Sequence, residues 1–490
     1  MNQLTTAELN EIARQSMSEN GFITDFPPNV IEAVEHLKQD PPDFSKDSSI
    51  RDLRSRLWSS IDDASSRDLD QVEYVEELEN GDIRVLVGIA DVDEFVTKDS
   101  LIDIHAAKNT VSIYAGSHVF PMLPEELSTN LTSLLNDVDR LAIVIEMIVG
   151  EDGSIVSKDI YRAVLHNYAK LTYEEIGAWL DKNTSVPDSI ANVKGLEAQV
   201  NLQFKVASKL LKFRQNHGAL EFETVEASPV ITDGNVTNIK ILHSNSARKI
   251  IENMMISSNV TMAEFVENHH VISLRRVVKT PARWERIVEV AASYGTKLPE
   301  IADSRALSEF LTARKNADPI HFPDLSLSIV KLLGPGEYTV QLPDEEIDGH
   351  FGLAVRDYSH STAPNRRYAD IVTQRLVKSI LQKSPVPYTA EELTAIAKRC
   401  NERATAARKV ERQTRKSIAA SVLASHIGEE FEAIVTGVKP NIGTFARLLN
   451  PPADGRIVRG EQGLEVGEKI KVKLIDTDPH KGFIDFAYQN

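Results

Sequence analysis

The chain has 490 residues, of which 42% are hydrophobic and 26% are charged, a composition typical of a soluble globular protein with two or three domains. It contains neither an apolar stretch of about 18 residues nor the pattern of a signal peptide, so we expect a cytoplasmic protein without a membrane partner. The single cysteine, Cys400, excludes an internal disulfide and a zinc site built from several thiolates. The formal net charge of −17 would argue against a nucleic-acid partner if the charge were spread evenly. It is not decisive, because basic residues gather locally in the chain.

The first part of the chain predicts two helices, at 5–20 and 28–38, followed by a turn-rich linker. Two strongly apolar runs, at 83–90 and 141–149, then predict buried β-strands. Further helices are predicted at 173–181, 196–216, 247–269, 281–294, 368–382 and 390–426. This mixture predicts an α+β catalytic body that follows a short helical N-terminal lead-in.

The C-terminal residues have a different pattern, in which short alternating runs are separated by Gly, Asn and Pro turns. These runs lie at 431–437, 443–449, 455–458, 469–475 and 482–487. They predict a small β-barrel of the OB type, a fold that often binds single-stranded nucleic acid through aromatic and basic side chains. The candidates for such a face are Phe445, Arg447, Lys469, Lys471 and Lys473. The alternative is a five-stranded sandwich that only caps the preceding helix.

Two short motifs have the residues needed for phosphodiester chemistry. The first, at 61–70, holds four acids, and Asp68 and Asp70 flank Leu69, so an extended backbone would turn both carboxylates the same way. The second, at 358–370, contains adjacent arginines. Carboxylates ligate hard cations that activate water, and a fixed guanidinium neutralises charge on phosphate oxygens. Together the motifs predict a nuclease, although the acidic motif alone is equally compatible with a solvated loop.

Further motifs place these two in the pattern of a known family. They lie at 88–96, 120–128, 169–173, 250–255 and 350–354. In this order and spacing, over roughly 50–490, the chain resembles the ribonuclease II family. The resemblance implies a ribonuclease II-type (RNB-type) catalytic domain (49–426) and a C-terminal OB-fold RNA-binding domain (427–490), which follow the helical N-terminal segment and linker (1–48) predicted from the apolar spacing.

The resemblance also implies an activity. Members of the family are hydrolytic 3′→5′ exoribonucleases that depend on Mg²⁺ and degrade single-stranded RNA to nucleoside 5′-monophosphates. The implied cofactor is therefore Mg²⁺, with Mn²⁺ as the alternative ion, and the implied partner is single-stranded RNA. We expect a monomer, and no protein partner is evident from the sequence.

Roles for individual residues follow from the same resemblance. Asp62, Asp68 and Asp70 match metal-site aspartates, and Asp70 matches the one most closely tied to the chemistry. Arg366 matches the arginine that contacts the scissile phosphate, a task that suits its planar fork. Tyr114 matches the aromatic residue that stacks on the base at the 3′ end.

Three more residues complete the implied RNA-binding set: Arg367, Glu252 and Glu411, of which Glu411 matches an acid near the 3′-terminal nucleotide. Simpler alternatives exist for some of these assignments. Tyr114 could be a core aromatic residue, Arg366 could pair with Asp370, and Glu411 could pair with Arg415 on one helix face.

The chain also departs from the family pattern. Gln71 stands where the family usually has a fourth metal-site aspartate, so one metal position loses charge unless the additional acid Asp63 reaches it. Ala363 and Asn365 replace the usual Ser and Ile beside the arginines. The residues at 1–48 are too few for the two cold-shock barrels that family members commonly carry, so we expect a shorter RNA footprint.

Two alternatives to an active exoribonuclease remain. The first is a catalytically silent RNA-binding protein whose metal site is impaired, and Gln71 is the feature that supports it. The second is a metal-dependent phosphodiesterase that acts on small nucleotides. A preference for long RNA over dinucleotides would exclude the second alternative.

Overall fold

The computed structural model describes residues 4–44, 47–116, 118–223, 226–242, 244–319, 321–439 and 442–488. Helices α1 to α12 span Thr6–Glu19, Pro28–Gln39, Leu101–Asn109, Tyr173–Leu180, Asp188–Ala191, Leu196–Asn216, Ser246–Asn268, Trp284–Ser293, Ser304–Ala317, Phe322–Leu333, Tyr368–Leu381 and Ala390–Leu423. Strands β1 to β17 span Arg51–Asp52, Trp58–Asp62, Gln71–Glu77, Ile83–Ala90, Ile113–Tyr114, Val119–Phe120, Asp139–Val149, Ile155–Thr172, Glu226–Thr232, Asn235–Leu242, Ser273–Val277, Glu337–Gln341, Glu430–Lys439, Gly443–Leu448, Ala453–Arg459, Lys469–Asp478 and Phe483–Tyr488. The predicted α+β class is confirmed.

A six-stranded mixed sheet with the order β1-β8-β2-β3-β4-β7 forms the centre of the catalytic body. The long strand β8 also pairs with β7, so the five strands from β8 to β7 form a closed ring, and β1 pairs with β8 beside it. Helices cover both faces: Val87 and Ile145 pack with residues of α6 and α7, whereas Leu86 and Val144 pack with residues of α3 and α11. Because both faces are buried, β4 and β7 are continuously apolar, which is why they were visible in the sequence.

A buried ion network fixes α11 against this sheet. The carboxylate of Asp91, directly after β4, accepts hydrogen bonds from Arg162 Nε at 2.8 Å and Lys378 Nζ at 3.1 Å. Burial alone would raise the pKa of Asp91, but the charges of Lys378 and Arg162 outweigh it and hold the pKa below its usual value. The network therefore ties the last turn of α11, the helix that begins at the end of the second motif, to the sheet.

Replacing Asp91 with asparagine is expected to lower the free energy of unfolding by about 3 kcal/mol, because it removes the fully buried negative charge that faces both Arg162 and Lys378. Urea unfolding measures this difference. The control is Glu77→Gln, which removes an exposed ion pair to Lys205 at 3.1 Å and should cost less than about 1 kcal/mol. Similar losses for the two variants would contradict the network's role.

The C-terminal strands form a closed barrel with the order β13-β14-β15-β17-β16, which confirms the predicted barrel and rules out the sandwich. Val472, Leu474 and Phe486 fill its core. Gly455 is required where β15 passes over Phe486, because a Cβ there would lie 2.4 Å from the Phe486 ring. In β16, Lys469, Lys471 and Lys473 alternate with the core residues and remain exposed, as predicted.

The N-terminal helices are present and pack against the catalytic body. Ala13 and Met17 of α1 share a core cluster with Ala406 and Val410 of the long helix α12. Within the described residues, no helix is long and apolar enough to cross a membrane. The boundaries drawn for the three domains stay a prediction.

Candidate active site

The acidic loop, residues 62–70, connects β2 to β3 and is held by hydrogen bonds from outside it. The backbone N–H of Leu69 donates to Ser133 Oγ at 2.9 Å, and that hydroxyl donates to the carbonyl oxygen of Arg67 at 2.7 Å. The ammonium of Lys170 donates to the carbonyl oxygens of Ala64, at 3.2 Å, and Ser66. The loop is therefore fixed on both sides of its acids, which orders their carboxylates before any ligand binds.

The arginine loop, residues 358–367, meets the acidic loop at Asp70. The backbone N–H of Asn365 donates to Asp70 Oδ1 at 2.9 Å, across 295 residues of sequence. Arg366 Nε lies 3.5 Å from Asp70 Oδ2. The alternative pairing of Arg366 with Asp370 is wrong, because Arg367 occupies Asp370 through hydrogen bonds of 2.9 and 2.7 Å.

The replacement of an apolar residue by Asn365 adds a tether to this contact. Thr132 Oγ1 lies 2.6 Å from Asn365 Oδ1 in a fully buried position. Asn365 thus donates to Asp70 through its backbone N–H and is held in place through its side chain. The sequence alone gave no sign of this contact, because Thr132 and Asn365 are 233 residues apart.

The carboxylates of the acidic loop lie in a weakly solvated environment. Burial raises the pKa of Asp70 to about 7, and the charge of Asp68 adds to the rise, although Arg366 favours the ionised form. Asp70 is 2% exposed. Burial also raises the pKa of Asp62, and Asp68 raises it further by repulsion. The three acids thus act on one another and on Arg366, as their predicted grouping requires.

Tyr114 and Glu411 lie on the other side of Arg366. The Tyr114 side chain is 41% exposed, so the alternative of a core aromatic residue is wrong. The Tyr114 hydroxyl and the guanidinium of Arg366 act on each other electrostatically, and the Tyr114 backbone N–H lies 3.4 Å from Glu411 Oε1. Burial raises the pKa of Glu411, and within the described residues Arg415 forms no ion pair with it. An exposed ring therefore sits next to the guanidinium and an acid.

Glu252 is not part of this cluster in the structure. It lies on α7, where burial raises its pKa and its charged neighbours are Arg214, Glu221 and Lys249. Arg367 is close in space to Arg366 but is engaged with Asp370. The structure thus brings together Asp62, Asp68, Asp70, Arg366, Tyr114 and Glu411 from the predicted set.

Gln71 stands where the family usually has a fourth metal-site aspartate, and Asp63 is the additional acid that could replace its charge. Gln71, the first residue of β3, is buried with 6% exposure. The carboxylate of Asp63 is paired with a cation, because its Oδ1 lies 2.9 Å from Arg248 Nη2 on α7. Arg248 also stacks over the Tyr173 ring, with its Cζ 4.4 Å from the ring centroid. The idea that Asp63 reaches the metal position is therefore not supported by its contacts.

Glu73 is a buried acid that the sequence analysis missed. It lies two residues after Gln71 in β3, is 0% exposed, and neither carboxylate oxygen has a hydrogen-bond partner within the described residues. Burial raises its pKa well above the usual value, and Asp62 adds to the rise. The sequence signal was a glutamate between Val72 and Val75, which are both fully buried. It was overlooked because β3 itself was not predicted.

The donor atoms of the site fit a hard cation. As they stand, no three His, Cys, Asp or Glu side chains among the described residues lie close enough to hold one metal ion. The acids nevertheless repel one another, and the Glu73 oxygens lack any donor. Since Mg²⁺ takes oxygen ligands and binds through one or two carboxylates together with water and substrate phosphate, this oxygen-only set is appropriate for it.

The raised pKa of Asp70 predicts how stability varies with pH in the metal-free protein. The folded-state pKa of about 7 exceeds the ordinary value of 3.8, so the folded state binds more protons between these two values. The stabilisation from the protonated carboxyl is complete below pH ~3.8 and is lost as the pH rises through about 7. The stability of the wild type relative to Asp70→Asn should therefore fall by about 4 kcal/mol over this window. Urea unfolding in EDTA tests this, and a rise with pH would refute it.

Both the sequence and the fold are similar to those of known proteins. Residues 50–383 match the RNB domain, and residues 429–489 match the RNase II-type exonuclease C-terminal S1 domain. Ribonuclease R of Escherichia coli (strain K12) is 31% identical over 504 residues, which cover 94% of this chain and 60% of that protein. Ribonuclease R 1 of Lactococcus lactis is 27% identical over 498 residues, covering 95% and 59%. The chain thus spans less than two thirds of the length of these relatives.

Solved structures share the fold. Mycoplasma genitalium RNase R, in complex with ribose-methylated single-stranded RNA, superposes with a TM-score of 0.87 at 23% identity, over 98% of this chain and 78% of that one. Yeast Ssd1, a pseudonuclease, superposes with a TM-score of 0.68 at 16% identity, over 92% and 55%. At these identities the likeness concerns the fold alone.

Proposed function

Because the chain belongs to the RNB domain family, we propose that it is a hydrolytic, Mg²⁺-dependent 3′→5′ exoribonuclease that converts single-stranded RNA to nucleoside 5′-monophosphates. The observation that carries this proposal is the meeting of Asp70 with Arg366, whose Nε lies 3.5 Å from Asp70 Oδ2. A carboxylate that can hold a cation and a guanidinium that can hold a phosphate are thereby placed at one point. The name Ribonuclease R, which these relatives carry, agrees with an enzyme that acts on RNA.

The site residues have two roles at the scissile phosphate, metal binding and phosphate binding. Asp62, Asp68 and Asp70 would hold Mg²⁺, with Gln71 as a neutral oxygen donor beside them. When bound, Mg²⁺ supplies a Lewis acid that activates water and offsets charge on the phosphate. The guanidinium of Arg366 orients the non-bridging phosphate oxygens and neutralises charge that develops on them.

Other residues place the end of the RNA. The exposed Tyr114 ring stacks on the 3′-terminal base without selecting its identity, since every base has a π face. Glu411, beside the Tyr114 backbone, accepts a hydrogen bond from the terminal ribose. Arg367 holds the arginine loop through Asp370, and its direct contact with RNA stays a prediction. The same applies to Glu252, which lies apart from the cluster.

The test is incubation of 5′-labelled single-stranded RNA with the purified protein, with and without Mg²⁺, and separation of the products at single-nucleotide resolution. We expect a metal-dependent ladder that shortens from the 3′ end, with nucleoside 5′-monophosphates as the released product. A single-stranded DNA of the same sequence serves as control. Hydrolysis of dinucleotides in preference to the long RNA would indicate the small-nucleotide phosphodiesterase instead.

A catalytically silent RNA-binding protein is the second candidate, and Gln71 is the residue that favours it. The likeness in fold to a pseudonuclease shows that this fold is also found without the activity. Against it, a channel without catalysis has no use for three acids that repel both one another and the RNA backbone. Intact RNA that shifts on a native gel, with or without Mg²⁺, would favour the silent protein.

A further inference from the structure

The N-terminal arm, which consists of helix α1 and the turn after it (residues 6–23), lies outside both matched domains, since these begin at residues 50 and 429. Its buried side chains nevertheless pack behind the strand β5. Met17 of α1 and Phe22 of the turn share an apolar cluster with Ile113 of β5. The arm therefore borders the strand that carries Tyr114.

Burial on one side of β5 accounts for the exposure of Tyr114 on the other side. Ile113 is buried in the cluster with the arm, whereas Tyr114, the next residue, is exposed, because successive side chains of an extended strand point to opposite sides. Phe120 of β6, which pairs with Ile113, lies against Arg14 of α1, whose Cζ is 5.5 Å from the ring centroid. The arm therefore supports both strands and leaves the Tyr114 ring on the opposite side.

Hydrogen bonds fix the turn of the arm at two places. The side chain of Asn109, the last residue of α3, accepts from the backbone N–H of Ile23 at 3.0 Å and donates to the carbonyl oxygen of Ile23 at 2.8 Å. Arg403 Nη1 on α12 donates to the carbonyl oxygens of Asn20 and Gly21, at 3.0 and 2.7 Å. The turn is thus held at one end to the segment that leads into β5 and at the other end to α12.

The segment 110–114, which leads into β5 and includes it, is also joined to the arginine loop and to the start of α11. The backbone N–H of Ser112 donates to the carbonyl oxygen of Arg366 at 3.0 Å. The backbone N–H of Tyr368 donates to the carbonyl oxygen of Thr110 at 2.9 Å. The segment therefore connects the arm to the backbone of the arginine that binds phosphate in the proposed function.

We propose that the N-terminal arm is a positioning element of the active site. Met17 and Phe22 hold the segment 110–114 in place, and the segment sets where the Tyr114 ring and the Arg366 guanidinium lie relative to each other. The inference rests on the proposed function, because it concerns how the same RNA end is placed. A shift of the segment would move both groups, and an error of about 1 Å in placing a reacting group can lower a rate by about 100-fold.

Hydrogen–deuterium exchange of the full chain, in EDTA and without RNA, tests the contact directly. In Met17→Ala the cavity behind β5 should let the amides of the segment 110–114 exchange about tenfold faster than in the wild type. The matched control is Leu9→Ala, which truncates an equally buried residue of the same helix that packs in the cluster of the C-terminal barrel. It should leave the exchange of the segment unchanged. Met17→Leu, which keeps the volume of the side chain, should exchange like the wild type.

RNA shortening under single-turnover conditions, with saturating RNA and Mg²⁺ and at a temperature where every variant is folded, gives the functional readout. Met17→Ala should shorten RNA about 10- to 100-fold more slowly than the wild type. Met17→Leu should recover most of the rate, and Leu9→Ala should stay within a few-fold of the wild type. Asn109→Ala is the second variant: it removes both bonds to Ile23 without truncating an apolar core side chain, and both readouts should change in the same direction as for Met17→Ala.

The outcomes separate the two proposals. Wild-type exchange of the segment 110–114 in both Met17→Ala and Asn109→Ala would overturn the inference. The same conclusion would follow from an unchanged rate in variants whose segment exchanges faster, or from an equal loss of rate in Leu9→Ala, which would indicate a general loss of stability. A wild type that never shortens RNA, together with faster exchange in Met17→Ala but not in Leu9→Ala, would overturn the proposed function and leave the support of the segment by the arm standing.

Discussion

Replacing Asp70 with asparagine is expected to lower the rate of RNA hydrolysis by about three orders of magnitude under single-turnover conditions with saturating Mg²⁺. Asparagine has the same shape and keeps an oxygen for the backbone N–H of Asn365, which lies 2.9 Å from Asp70 Oδ1. It removes the charge that ligates a cation and opposes Arg366. The chemical step is therefore affected far more than the fold.

The matched control for this variant is Asp63→Asn, which neutralises an exposed acid in the same loop that is paired with Arg248. Its hydrolysis rate should stay within a few-fold of the wild type. RNA affinity of Asp70→Asn, measured by fluorescence anisotropy in EDTA, should be unchanged or higher, because a charge that repels phosphate has gone. An Asp70→Asn enzyme with more than a tenth of the wild-type rate would contradict the role given to Asp70.

Replacing Arg366 with glutamine should have two effects of opposite sign. Hydrolysis is expected to fall by about 10²- to 10³-fold, since the guanidinium that stabilises charge on the phosphate is lost. The affinity for Mn²⁺ without RNA is expected to rise, because Arg366 now competes with a cation at Asp70, with Nε 3.5 Å from Oδ2. Single-turnover kinetics and metal titration measure the two effects separately.

Lysine at this position should restore little of the rate, because a single ammonium cannot bind two phosphate oxygens as a planar guanidinium does. The control is Arg356→Gln, an exposed arginine near the start of the arginine loop that pairs with Glu267. It should change neither the rate nor the metal affinity appreciably. A lower Mn²⁺ affinity in Arg366→Gln would show that Arg366 supports the acids rather than competing with a cation.

Of the twelve α-helices in the described part of the chain, eight were predicted, because each of these eight has its own apolar face. The predicted helix at 368–382 is observed as Tyr368–Leu381, and that at 390–426 as Ala390–Leu423 followed by a short 3₁₀ turn. The apolar strands Ile83–Ala90 and Asp139–Val149 were also visible. A spacing of 3.6 residues or an unbroken apolar run is a local property, so it needs no knowledge of the rest of the fold.

The strands that carry the acids were not predicted. Trp58–Asp62 and Gln71–Glu77 contain polar side chains that point into the protein, such as Ser59 and Glu73, so neither reads as an apolar or alternating run. Four helices were missed as well: Leu101–Asn109, Asp188–Ala191, Ser304–Ala317 and Phe322–Leu333. In the strands the tertiary environment outweighed the local pattern, because buried polar residues at a functional site break the rule by which strands are recognised.

By itself, the sequence determined which chemical groups are present, the order of most helices, the C-terminal barrel and the resemblance from which the family could be inferred. Only the tertiary structure decided which groups meet. It brings the Asn365 peptide to Asp70 across 295 residues, assigns Asp370 to Arg367, turns Asp63 to Arg248 and buries Glu73 without a partner. Composition and periodicity are fixed along the chain, whereas these contacts depend on the strand order of the sheet and on the helices packed against it, which bring distant segments together.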